Sequence, residues 1–122
     1  MIRLWLAVAG LGGAASIIAG ALAAHLADDP RTQSLLRTGA LYGMVHAVAL
    51  IAVIGLAQGR EPRRGAAALA GLCFALGIVL FSGSLFALAG TGAHWLVRVT
   101  PFGGAAFILG WLALAALALR RR

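Results

Sequence analysis

Apolar residues run in four long stretches along this chain of 122 residues, at about residues 4–26, 35–56, 66–89 and 99–119. A helix rises about 1.5 Å per residue, so each stretch is long enough to cross the roughly 30 Å hydrocarbon core of a bilayer. Between them lie short segments rich in helix breakers: Asp28-Asp29-Pro30, Gly59-Arg60-Glu61-Pro62 and Gly90-Thr91-Gly92. No stretch alternates apolar and polar residues as a barrel strand does, and a chain in lipid must satisfy its backbone polar groups internally. The pattern predicts an all-α membrane protein, a single integral domain over residues 1–122 folded as a four-helix bundle. Asp29 is a good N-cap and Pro30 suits a first helical turn, which extends the second helix to residues 30–57. A helix of that length exceeds the bilayer thickness and predicts tilt or an exposed first turn.

Composition excludes several classes. Hydrophobic residues make up 62% of the chain, charged residues 11%, and mean hydropathy is +1.00. A soluble domain of this size leaves about a third of its chain surface wet and cannot hide such an apolar load. Soluble enzymes, disordered tails and disulfide scaffolds are therefore excluded, and a single cysteine, Cys73, permits no internal disulfide. Ten basic residues, all arginine, stand against three acids for a net charge of +7. They lie beside apolar runs instead of lining one face, so nucleic acid is not an expected partner. Arg3, Arg60, Arg63, Arg64 and the tail Arg120-Arg121-Arg122 fall on one side, with Arg31, Arg37 and Arg98 on the other. The positive-inside rule then predicts both termini in the cytoplasm, with Trp5 and Trp95 as interfacial aromatics. Arg3 ahead of an apolar run that closes on Ala21-Leu22-Ala23 also has the ingredients of a cleavable leader, but the run is longer than a leader core and is read as a retained span.

Candidate chemistry is sparse. Gly12, Ser16, Gly20 and Ala24 recur every four residues on the first helix, and Gly39, Gly43 and Ala47 on the second. Such faces let helices approach closely in lipid. Thr38, Tyr42 and His46 form a polar stripe at the same step. His46 lies eleven residues past Leu35, about 16 Å deep and near the bilayer midplane, where an imidazole must face the bundle interior and find a partner. Its plain reading is a neutral ring bonded to Ser82 or Ser84, and the alternative is a ligand-binding or proton-handling group. His25, Arg37 and Arg98 are expected at the outer interface, the arginines snorkelling to headgroups, pairing with Asp28 or Asp29, or guarding an outward pocket for an anion. The serines have no general base nearby, the three acids sit in loops, and no ligand set suits a metal. No catalytic residue, metal or cofactor is expected, and an enzyme is the least supported class. A weak echo links Leu35-Leu36-Arg37 and Tyr42-Gly43 to Leu96-Val97-Arg98 and Phe102-Gly103.

Gly20-Ala21-Leu22-Ala23-Ala24-His25, Leu41-Tyr42-Gly43-Met44-Val45-His46-Ala47, Leu80-Phe81-Ser82-Gly83-Ser84-Leu85, Thr100-Pro101-Phe102-Gly103-Gly104 and Gly110-Trp111 together resemble the domain of unknown function 423 family of small membrane proteins. The resemblance spans nearly the whole chain. It implies four transmembrane helices in a bacterial inner membrane, recurrent histidines at His25 and His46, and no established activity. A glutamine commonly follows the tyrosine in that family. Gly43 stands there in this chain, so a Tyr-Gln-His hydrogen-bonded set is not implied.

Two functional expectations follow. The first is a structural or accessory bundle that contacts the lipid bilayer and associates with a second copy or a larger membrane complex. The second is a binding or transport module for a small molecule, ion or lipid, with Thr38, Tyr42, His46, Ser82 and Ser84 lining its interior. A redox accessory holding haem or quinone at His25 and His46 ranks behind both. The topology is testable directly: a cysteine replacing Thr91 should react with an impermeant thiol reagent added to intact cells. Labelling confined to the loop at residues 59–65 would reverse the assignment.

Overall fold

The structure is a computed structural model describing residues 1–59 and 63–119. Arg60, Glu61 and Pro62 of the second turn, and the tail arginines at 120–122, lie outside the described residues. The elements are α1 (Ile2–His25), α2 (Pro30–Ala57), α3 (Arg63–Gly77), a π-helical turn (Ile78–Ser82), α4 (Gly83–Thr91), a 3-10 turn (His94–Arg98) and α5 (Thr100–Leu119). The segments from α3 through α4 make one continuous third span, Arg63–Thr91, and the 3-10 turn with α5 makes the fourth, His94–Leu119. All four are long and apolar enough to cross a membrane.

Local chemistry sets the ends. The Asp29 side chain accepts the Thr32 amide at 3.3 Å with Pro30 in the first turn, and Gln33 Nε2 donates to the Ala27 carbonyl at 2.7 Å. Together these bonds pin the turn between α1 and α2. Gly92 ends α4 in the left-handed region at φ 67°, with its amide bonded to the Leu88 carbonyl at 2.9 Å. The sequence reading starts the fourth helix at residue 99. The structure instead restarts the chain at His94, because buried Leu96 anchors a short 3-10 turn ahead of α5.

The third span is the centre of the bundle. Half of its apolar window is inside the protein, against 22% for the first and fourth spans. It packs against α2 on one side and α5 on the other, while α1 packs mainly on α2 and touches the third span lightly. Near the termini Trp5, Leu50, Val53, Phe74 and Phe107 fill a broad core. Near the α1–α2 turn the core shrinks to Ala19, Ala23 and Leu36. Trp5 is buried at 3% exposure with its ring over Gly71, so it is a core residue, not the interfacial anchor expected. Trp95, 66% exposed, suits an anchor.

The four spans converge at one waist. A methyl group on Gly43 of α2 would overlap Ser16 Oγ of α1 and come within 3.0 Å of Ser82 Oγ of the π turn. One on Gly103 of α5 would overlap the Phe81 backbone nitrogen and lie 2.7 Å from Leu80 C. Ser16 hydrogen-bonds the Gly12 carbonyl at 2.7 Å, and Ser82 crosses to the Gly39 carbonyl at 2.8 Å. The small-residue face of α1 differs from the strict four-residue row. A four-residue step turns 400°, so the row drifts about 40° each time, and the buried positions run Trp5, Ala9, Ser16, Ala19 and Ala23. Gly20 is half-buried and Ala24 is exposed.

Gly103→Ala forces backbone against backbone and should cost about 1–3 kcal/mol in detergent unfolding, with Gly43→Ala in the same direction. Gly20→Ala, whose added methyl meets only Ala40 Cβ at 4.0 Å, should be close to neutral. Acid should loosen the start of α2. Hydrogen bonding from Thr32, side chain first and then amide, with Arg31 nearby, holds the Asp29 carboxyl below its usual 3.8. A lowered folded value means the cap is fully present above 3.8 and is lost as pH falls through that folded value. Thr32 amide exchange, measured against neighbouring amides, should quicken across that interval, and Asp29→Ala should abolish the acid step.

Candidate functional site

His46 lies on the inner side of α2, 3% exposed, and both ring nitrogens are bonded. Trp111 Nε1–H of α5 donates to Nε2 at 3.0 Å. That fixes the tautomer: the proton sits on Nδ1, which donates to the Tyr42 carbonyl one turn back at 2.6 Å. The imidazole stacks on Phe107 with centroids 3.5 Å apart and planes 11° apart, and meets Phe74 edge-on at 5.5 Å. Tyr42 contacts Phe81 at 5.1 Å and lies 6.2 Å from His46 in a near-parallel arrangement. Four of the nine aromatic residues of the chain, Tyr42, Phe74, Phe107 and Trp111, thus surround one histidine, and Phe81 packs on two of them.

The positioning comes from opposed small residues. Gly77 of α3 leaves the space that Phe107 fills, and Gly110 of α5 leaves the space for Phe74, whose ring is 2.5 Å from a methyl built there. The rings bridge α2 and α5 across the face of the third span.

The hydroxyls expected to partner His46 are engaged elsewhere. Ser82 donates to the Gly39 carbonyl. Ser84 lies 2.6 Å from Thr100 Oγ1 and 2.9 Å from the Phe81 carbonyl, and Thr100 lies 3.3 Å from the Leu96 carbonyl. Two protons serve three contacts, so the shorter pair is satisfied when Thr100 donates to Ser84 and Ser84 to Phe81. These bonds stitch the third span to the second and fourth. Thr38 is half-buried and Tyr42 is 44% exposed, so of the stripe Thr38, Tyr42 and His46 only His46 is fully enclosed.

His25, Arg37 and Arg98 are exposed, His25 at the end of α1 and Arg98 in the 3-10 turn. The His25 and His46 rings do not converge. Among the described residues no three His, Cys, Asp or Glu side chains come together as a metal would require. The residue missed by the sequence reading is Trp111. The signal was available: Trp111 lies twelve residues past Val99, about 18 Å along its helix, which matches the depth of His46.

Four apolar helices around an internally bonded core define a multi-pass protein of the inner membrane, in contact with lipid. The chain belongs to the protein family of unknown function DUF423, whose model matches residues 19–104. It is 37% identical over 114 residues to a UPF0382 membrane protein of Haemophilus influenzae, covering 91% of this chain and 90% of that protein. It is 38% identical over 104 residues to the UPF0382 membrane protein YwdK of Bacillus subtilis, covering 83% and 84%. With the UPF0382 inner membrane protein YgdD of Escherichia coli K12 it shares 32% identity over 126 aligned positions, covering 98% and 94%. No solved structure matches the chain.

The His46–Trp111 bond is measurable by a double-mutant cycle on unfolding in detergent. Trp111→Phe and His46→Gln should each destabilise, with a coupling of about 0.5–1.5 kcal/mol between them. Additivity would show that the bond contributes nothing.

Proposed function

We propose that this protein is a structural or accessory bundle, not an enzyme, working by association with a second copy or a larger membrane complex. One observation carries the reading: among the described residues, every buried side-chain nitrogen and oxygen already has a partner within the chain. General acid–base or nucleophilic chemistry needs a polar group poised toward a substrate. His46 has both nitrogens occupied and a phenyl ring on its face. The same closure disfavours a transport path through the interior.

Association is supported by the outward face of α1. Gly10, Ala14, Ala21 and Ala24 are exposed there at helical spacing, and a methyl added at Gly10 meets nothing within 4 Å. Small residues facing lipid permit close helix contact. A cysteine at Ala14, in a Cys73→Ala background, should cross-link in native membranes to a second copy or to a partner of defined mass. Only monomer, at this position and at Gly10, would count against association through α1. A chemical activity lost in His46→Gln with the fold intact would overturn the non-enzymatic reading.

A further inference from the structure

An open apolar groove of about 430 Å³ runs between α1 and the third span, floored by Ala19 and Leu36 and walled by Leu22 and Phe86. It lies in the half of the bundle where the core is thinnest, because α1 buries only alanines there. Its α1 wall from Ala15 to Leu26 rises about 16 Å, close to half of a roughly 30 Å hydrocarbon core and so one leaflet deep. At the deep end it shares Ala15 and Phe86 with a second apolar recess of about 300 Å³. At the shallow end it shares Thr32 and Ala89 with a polar cavity of about 170 Å³ lined by Asp29, Arg31 and His94.

We propose that the groove and this cavity form a binding site for one phospholipid with an ammonium-bearing headgroup, such as phosphatidylethanolamine. An acyl chain lies in the groove, Arg31 meets the phosphate, and the Asp29 carboxylate meets the ammonium. The adjacent opposite charges complement a zwitterionic headgroup, and an apolar trough one leaflet long complements its chain. The site is separate from the His46 cluster and does not rest on the proposed function. A helix from a second copy would match the trough but has no use for a charged pair at its mouth.

Full-length protein in detergent, titrated with dioleoyl phosphatidylethanolamine and followed by native mass spectrometry, tests this. One lipid per chain should be retained, in preference to a diacylglycerol with the same chains. Gly90→Leu adds a side chain at the groove where a Cβ meets nothing within 4 Å, so the fold should persist while lipid affinity falls about tenfold or more. Arg31→Gln should weaken retention several-fold. The native protein should also favour this lipid over phosphatidylglycerol, which lacks the ammonium, and Asp29→Asn, which keeps an N-capping side chain, should erase that preference. Equal retention of diacylglycerol, or unchanged binding in Arg31→Gln, would overturn the proposal even if Gly90→Leu failed to fold. So would Gly90→Leu splitting a dimer while leaving lipid retention intact, since the groove would then hold a second copy.

Discussion

The third span is clamped at mid-bundle between two glycines, and the rest of the structure is arranged around that clamp. Gly43 of α2 and Gly103 of α5 face the π turn at Ile78–Ser82, neither with room for a methyl group. In lipid, where helices gain little from hydrophobic transfer, such close approach is what makes contact favourable. The π turn lengthens one helical turn by a residue and redirects the side chains that follow. Phe81 then reaches Tyr42 and Phe107, while Ser82 reaches the Gly39 carbonyl. The third span becomes the common wall of two half-bundles.

A clamp at one level leaves the helices free to splay above and below it. Toward the termini they are held by large side chains entering small positions: Trp5 over Gly71, Phe74 over Gly110, Phe107 over Gly77. His46 adds a directional bond to this packing. An unbonded imidazole at that depth is costly, and so is an unbonded indole N–H, so each relieves the other. The bond fixes the rotation of α5 relative to α2, which pure aromatic packing leaves loose. Toward the α1–α2 turn there is no such filling, and α1 stands away from the third span across an apolar groove.

The four helices and the cap at Asp29 were legible because each rests on local pattern: run length, breakers and capping chemistry. The burial of His46 was legible from depth alone. Its partner is not among the hydroxyls of the third span; it is Trp111, at the matching depth on the fourth. The inward Trp5 was missed because an aromatic near a helix end reads as an interfacial anchor unless the opposing glycine, Gly71, is known. The π turn left no trace in composition, since every residue from Ile78 to Phe81 is as compatible with α-helix. The drift of the α1 face was computable, and a strict four-residue count overlooked it.

The weak echo between Tyr42-Gly43 and Phe102-Gly103 acquires a physical meaning here. The two helices run in the same direction and both press a glycine on the third span, each with an aromatic residue before it, Tyr42 at 44% and Phe102 at 70% exposure. A shared partner surface imposes the same requirement on both sides. Two blocks of the family resemblance, at residues 80–85 and 100–104, sit against each other for the same reason. Thr100 of one bonds Ser84 of the other, and Gly103 of one lies on the backbone of Phe81 of the other. What those blocks encode is therefore a helix–helix joint. At that joint the Ser84 and Thr100 hydroxyls bond each other across the two helices, which is in keeping with the accessory bundle proposed above.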